Sequence, residues 1–234
     1  MSDKYVIAAP AQPAVPVVGG GLFPVRRIYC VARNYAAHAR EMGADPTRES
    51  PFFFTKPADA VLSVAEGECG RFPYPPATRS VDHELELVVA LGAGGADLSA
   101  EQAAGCIWGY AVGLDMTRRD LQAEAKAKGR PWDIGKAFDG AAPISAIVPA
   151  AGKVLAAGEI SLQVNGETRQ HGDLADMIWS VPEVIAFFSR YYRLMPGDLI
   201  FTGTPEGVGP VVPGDRLSGR IAGVGTLEIE VVGR

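Results

Sequence analysis

Glu84 and Glu86 stand two apart in the run Glu84-Leu85-Glu86-Leu87-Val88-Val89-Ala90-Leu91, which opens with period two and ends continuously apolar. On a strand, that spacing turns both carboxylates to one face. Ordinary solvent-facing alternation produces the same pattern, and Glu228 and Glu230 repeat it in residues 226–232. What separates the first pair from the second is Asp115, which closes another apolar run, Ile107–Leu114. An acid at the end of a buried strand needs a partner. Three carboxylates converging at strand ends repel one another unless a cation lies between them. Oxygen-only ligation selects a hard ion, Mg2+, Mn2+ or Ca2+, over zinc.

His38 and Glu41 lie three apart on a short predicted helix and share a face. Either Glu41 orients His38 to take a proton from water, or the two form a routine surface pair. There is no HExxH, and His83 and His171 do not complete a zinc triad by spacing. His83 alternates away from Glu84 and Glu86 and reads as structural.

Lys136 follows Pro131-Trp132-Asp133-Ile134-Gly135 and precedes Ala137-Phe138, an unusual setting for an open-surface lysine. The alternative is a lysine that snorkels to solvent. Arg119 and Gln122 share a helix face and either hydrogen-bond a carboxylate or decorate the surface. The loop Thr202-Gly203-Thr204-Pro205-Glu206-Gly207-Val208-Gly209 is neither a phosphate loop nor GxGxxG. It is a turn requiring positive φ, or a loop whose N–H groups and threonines hold an anion.

The elements that must position these groups are mostly strands. Residues 28–31, 52–54, 84–91, 107–114 and 226–232 read as strands, and 161–164 with the turn Asn165-Gly166 as a hairpin. The turns Pro196-Gly197-Asp198 and Pro213-Gly214-Asp215 each lead into a strand. Helices are expected at 35–42 behind Asn34, after Ser99 with Gln102, after Thr117 with Asp120 as far as Gly129, and from Ser180 with Glu183 to about Tyr192. A long irregular stretch is expected through Gly67, Pro73, Pro75 and Pro76. The organisation is an N-terminal arm, residues 1–24, rich in Pro, Ala and Gly, and one strand-rich α+β domain, residues 25–234.

The 22 basic and 27 acidic residues give a formal charge of −5, and no basic run exceeds Arg26-Arg27 or Arg118-Arg119. A nucleic-acid partner is therefore not expected. An acidic chain repels an anionic substrate at long range, so a site for one must carry local positive charge. Cys30, Cys69 and Cys106 form neither a disulfide framework nor a CxxC pattern, which suits a reducing cytosol. With Pro10, Pro13 and Pro16 interrupting the N-terminal apolar run, neither a signal peptide nor a membrane partner is expected.

Taken in order, the segments resemble the fumarylacetoacetate hydrolase family. They are Arg33-Asn34-Tyr35-Ala36-Ala37-His38-Ala39-Arg40-Glu41-Met42, Phe53-Phe54-Thr55-Lys56-Pro57, His83-Glu84-Leu85-Glu86-Leu87 and Gly109-Tyr110 through Asp115 to Arg119-Asp120-Leu121-Gln122. Gly135-Lys136-Ala137-Phe138, Val164-Asn165-Gly166-Glu167 and Pro196-Gly197-Asp198 through the 202–209 loop complete the set. Within the family, residues 29–34, 52–60 and 114–122 with Gly129-Arg130-Pro131-Trp132 are most similar to the acylpyruvate hydrolase branch.

The resemblance implies a mixed β-roll or β-sandwich with short peripheral helices, a cytoplasmic homodimer, and Mg2+ or Mn2+ held by Glu84, Glu86 and Asp115, with Ca2+ a substitute. It assigns His38 and Glu41 to water activation on a lid, and Lys136, Gln122, Arg119 and Thr204 to a 2,4-dioxo acid substrate. Arg119 or Arg33 is the expected cation for a second substrate carboxylate. The implied reaction is hydrolysis of a carbon–carbon bond. The rivals are a decarboxylase or tautomerase of oxaloacetate using the same metal site, and a non-catalytic metal-binding domain. Ala32 departs from the glycine frequent in relatives, as Ala137 does from a frequent serine.

Overall fold

The structure, a computed structural model, describes residues 5–37 and 50–233. Its central element is Leu85–Leu91, buried at every position, which explains why the run is apolar on both faces. Leu85, Leu87, Val89 and Leu91 enter one core with Leu162, Leu217 and Phe188. Val88 and Ala90 enter a second core on the opposite face, with Ile28, Cys30, Ala111 and Phe201.

This strand lies in the middle of an eight-stranded mixed sheet. In spatial order the path is Phe52–Lys56, Arg27–Ala32, Asp198–Phe201, Leu85–Leu91, Ile107–Leu114, Ala142–Ile144 and Val61–Ser63, with Val148–Pro149 also paired to Ile107–Leu114. Asp198–Phe201 runs parallel to Arg27–Ala32, and Leu85–Leu91 is antiparallel to both of its neighbours. A five-stranded sheet, Glu167–Asp173, Glu159–Val164, Arg216–Ile221, Gly225–Val232 and Cys69–Pro73, covers the first core. Thr117–Arg118, Val81–His83 and Gly209–Val211 form a small third sheet at the end of the large one. This is the strand-rich α+β domain read from the residues, with the mixed sheets and short peripheral helices that the family resemblance implied.

Several local expectations hold. Asn165 and Gly166 both have positive φ, 54° and 82°, which closes the hairpin with the twist its strands need. Ser99 and Gln102 form a capping box before Ala100–Ala104. Glu183 accepts from both the N–H and Oγ of Ser180 at the start of Val181–Ser189, a helix that stops short of Tyr192.

Others fail. Thr117 does not cap the helix Arg119–Ala127: it pairs as a strand residue, and its hydroxyl lies 3.2 Å from Asp115 O and 3.4 Å from Glu84 Oε1. Asp120 accepts from Thr78 Oγ1 and Arg79 N instead. The stretch expected to be irregular contains Val61–Ser63 and Cys69–Pro73, which alternation does not reveal because each is a short edge of a sheet. Residues 14–24 form a hairpin, Ala14–Pro16 with Leu22–Pro24, whose Val15 and Phe23 are buried in the second core. Residues 36 and 37 are helical, whereas the remainder of the expected 35–42 helix lies outside the described residues.

Candidate active site

Glu84 occupies the junction between Val81–His83 and Leu85–Leu91, where the chain passes from the small sheet into the large one. Glu86 is on the large sheet, opposite Gly113 on Ile107–Leu114. Asp115 follows the last residue of that neighbouring strand, and its N–H donates to Glu84 O at 2.8 Å. Two antiparallel strands thus deliver three carboxylates to one end of the sheet. All three are buried, and each offers a ligand oxygen within 4.8 Å of the others.

Bringing acids this close in a dry place is costly, and the response is visible. Burial pushes the Glu86 carboxyl well above its ordinary range, and Asp115 and Glu84 add to the shift. The Gly203 N–H opposes it by donating to Glu86 Oε2 at 2.7 Å. Gly203 has φ +97°, and a Cβ there would lie 2.8 Å from the Asn34 Cβ, so only glycine brings this amide to the glutamate.

Lys136 ends the short helix Asp133–Lys136 and is itself buried. Its Nζ donates to Asp115 Oδ2 at 2.6 Å and to Glu84 Oε2 at 2.8 Å. Burial works against its charge, but Asp115 and Glu84 outweigh that and raise its pKa. The neighbouring Gly135 packs against the helix Arg119–Ala127, where a Cβ would sit 3.0 Å from the Gln122 Cβ and N. Arg119 donates to Asp82 at 2.7 Å and Glu84 at 2.6 Å, and to Gln122 Oε1 at 2.7 Å. A guanidinium can only donate, so this contact fixes the Gln122 amide with its NH2 end away from Arg119.

Glu84, Glu86, Asp115, Lys136, Gln122 and Thr204 line one cavity, with Phe54, Trp132, Arg33 and Lys126 toward its mouth. Thr204 is held there by Gln170, whose Nε2 donates to Thr204 Oγ1 at 2.8 Å while its Oε1 accepts from Leu85 N at 3.0 Å. Arg33 adopts φ 59°, a left-handed backbone costing a non-glycine residue about 1–2 kcal/mol. The structure therefore gathers eight of the sequence-expected residues. His38 and Glu41 lie outside the described residues.

Arg119 is a poor choice for a distal substrate carboxylate, because its charge is already committed to Asp82 and Glu84. His83 is buried and reaches Gln170, with Nδ1 and Oε1 3.2 Å apart. Lys56, Asp82, Gln170 and Lys126 are additions that the residue-by-residue reading missed. Lys56 alone carried a signal, a lysine closing an aromatic strand. Gln170 carried none, since it is the one fully buried side chain in a polar strand.

The donor set fits a hard divalent ion. It is all carboxylate, it is buried, and Asp115 Oδ1 receives no hydrogen bond. Lys56 Nζ lies 2.8 Å from that oxygen, at ion-pair distance but off the hydrogen-bonding direction.

Comparison with known proteins agrees with this geometry. The family description "Fumarylacetoacetate (FAA) hydrolase C-terminal" matches residues 27–232. A fumarylpyruvate hydrolase of Ralstonia sp is 47% identical over 80% of this chain and 95% of the relative. The oxaloacetate tautomerase YcgM of Escherichia coli is 41% identical over 84% of this chain and 88% of the relative. The crystal structure of fumarylpyruvate hydrolase from Pseudomonas aeruginosa, in complex with Mn2+ and pyruvate, superimposes with a TM-score of 0.97 at 54% identity, covering 99% of this chain and 100% of that one. The chain belongs to the fumarylacetoacetate hydrolase family.

Proposed function

We propose that this protein is a divalent-metal-dependent hydrolase of acylpyruvates, converting fumarylpyruvate to fumarate and pyruvate with Mg2+ or Mn2+. The observation that carries the proposal is the buried Glu84, Glu86 and Asp115 triad, with ligand oxygens within 4.8 Å, on the floor of a cavity that also holds Lys136 and Gln122. A cation bound there supplies a Lewis acid for the vicinal carboxylate and keto oxygens of a 2-oxo acid. The protein's own groups do the rest.

His38, oriented by Glu41, takes a proton from water as its oxygen adds to the distal carbonyl. The Gln122 amide, set by Arg119, donates to the oxyanion that develops. When the carbon–carbon bond breaks, its electron pair leaves with the pyruvoyl fragment as an enolate. The Lys136 ammonium lies beside the triad to offset that charge. The proton His38 took from water, delivered to the departing carbon, completes pyruvate and restores the base. Arg33 and Lys126 line the mouth with no carboxylate partner among the described residues, and they suit the far carboxylate of a dianionic substrate.

A second reading, tautomerisation or decarboxylation of oxaloacetate, is favoured by the 41% identity to the E. coli tautomerase. The two share the same enolate chemistry, and only hydrolysis needs an activated water. A homodimer in the cytoplasm completes the proposal, with light scattering the test of assembly. No described helix is long and apolar enough to cross a membrane.

The deciding assay is pyruvate release from fumarylpyruvate with Mn2+, beside a chelated control and an oxaloacetate comparison. Metal-dependent release of equal pyruvate and fumarate is expected. Turnover of oxaloacetate alone moves the assignment to the second reading.

A further inference from the structure

Lys56 closes the strand Phe52–Lys56 at the edge of the large sheet and points its side chain inward, with no exposed side-chain surface. A lysine is almost never buried to this degree without a reason that offsets its desolvation. Three acceptors surround its ammonium. Asp115 Oδ1 lies 2.8 Å away, Met116 O accepts at 3.3 Å, and Lys136 O accepts as well. The first belongs to the third carboxylate of the triad, and the second to the peptide that follows it. The last belongs to the residue whose own ammonium grips Asp115 Oδ2 and Glu84. Lys56 therefore touches both the carboxylate and the backbone that carries its cationic partner.

We infer that Lys56 is a positioning residue for the proposed metal centre. It pairs with one oxygen of Asp115 while Lys136 holds the other, which fixes the carboxylate beside Glu84 and Glu86, and it ties the Lys136 peptide to the same point. The inference rests on reading Glu84, Glu86 and Asp115 as cation ligands.

Two features beyond burial support it. The contacts run between segments far apart in sequence, 60 residues to Met116 and 80 to Lys136, so they set the relation of three elements and do not brace a single turn. Lys56 also completes a charge balance. The carboxylates Asp82, Glu84, Glu86 and Asp115 face Lys56, Lys136 and Arg119, which leaves one negative charge before a divalent ion binds. With the ion the balance becomes one positive, the sign needed to receive an anionic substrate and an enolate. Without Lys56 that positive excess is gone.

The test uses Lys56→Met, which keeps the length of the stem and removes the charge and donors. Where that variant does not fold, Lys56→Gln keeps an amide donor for the carbonyls of Met116 and Lys136. Three quantities are read at saturating Mn2+: kcat, KM for fumarylpyruvate, and the electron paramagnetic resonance spectrum of the bound ion. Positioning predicts a fall in kcat of tenfold or more, KM within threefold, and an altered Mn2+ spectrum in the folded variant. A role limited to stability predicts a lowered Tm with kcat within twofold and the wild-type spectrum, and that outcome overturns the inference. Wild-type protein that binds no Mn2+ at all overturns the metal reading itself, a separate result visible before any variant is made.

Discussion

Glu84 with Glu86 and Glu228 with Glu230 have the same spacing, the first pair at the entry to Leu85–Leu91 and the second within Gly225–Val232, yet they live in different physical worlds. Gly225–Val232 buries Leu227, Ile229 and Val231 on one face and leaves Glu228 exposed, where its carboxylate accepts from Ser218 Oγ at 2.6 Å. Leu85–Leu91 is covered on both faces, so Glu86 has no solvent to turn to. Its partners are other acids, one backbone amide and the nearby lysine. Period two sets which side a carboxylate points to. It does not set whether that side is wet. The clue to the dry case is in the neighbouring residues, since Leu87-Val88-Val89-Ala90-Leu91 admits no solvent face, whereas Leu227-Glu228-Ile229-Glu230-Val231 keeps one throughout.

The sharpest way to break this contrast is to neutralise each pair. Glu84→Gln or Glu86→Gln should lower metal-dependent kcat by about 10⁴-fold or more, because each ~1.4 kcal/mol of lost charge stabilisation is tenfold. In the same variants, Mn2+ should no longer raise Tm, whereas in the wild type a ligand at a hundred times Kd adds about 2.7 kcal/mol. Retention of both activity and metal-linked stability would falsify the triad.

Next in size is His38→Ala. Loss of a positioned general base should cost roughly 10²-fold or more in pyruvate release. Mn2+ binding, measured by calorimetry, should be unchanged, since the triad is intact. Full hydrolysis in this variant removes His38 from the chemistry.

How much of this was readable beforehand follows the same contrast. The convergence of Glu84, Glu86 and Asp115 was legible because acids beside long apolar runs are locally inconsistent and need a shared partner. Lys136 was legible for a similar reason. The role of Arg119 was not: its type and helix face allowed a substrate contact, but only the fold shows its charge spent on Asp82 and Glu84. Gln170 and Lys56 act through contacts 85 and 60 residues distant in the chain, and no periodicity encodes those. The same limit applies to the fold. The long central strands announced themselves, whereas Val61–Ser63, Val81–His83 and Gly209–Val211 are three residues each and exist because a neighbour is there to pair with.

A smaller effect is expected at the mouth of the cavity. Lys126 lines it from the helix Arg119–Ala127, a turn beyond Gln122. Lys126→Ala should raise KM for fumarylpyruvate roughly fivefold, the worth of about 1 kcal/mol from a partly exposed charge pair. Acetylpyruvate, which lacks the second carboxylate, should be unaffected, and kcat should hold for both. An equal rise for the two substrates would place Lys126 on the shared pyruvoyl end and leave Arg33 as the cation for the distal carboxylate.

The smallest effect is expected from the control pair. Glu228→Gln with Glu230→Gln removes two charges from a strand face that already meets water, where substitutions fall within about 0.5 kcal/mol. Glutamine can still accept from Ser218 Oγ, and the buried alternation of Leu227, Ile229 and Val231 is untouched. Tm should move by no more than about 4 °C, taking the usual ΔTm per kcal/mol for a domain of 150–250 residues as an upper bound, and kcat with Mn2+ should stay within twofold. Should this double variant lose activity as the Glu84 or Glu86 variants do, the strand covering the first core would be coupled to the site. Burial of the carboxylates would then no longer be what distinguishes the two pairs.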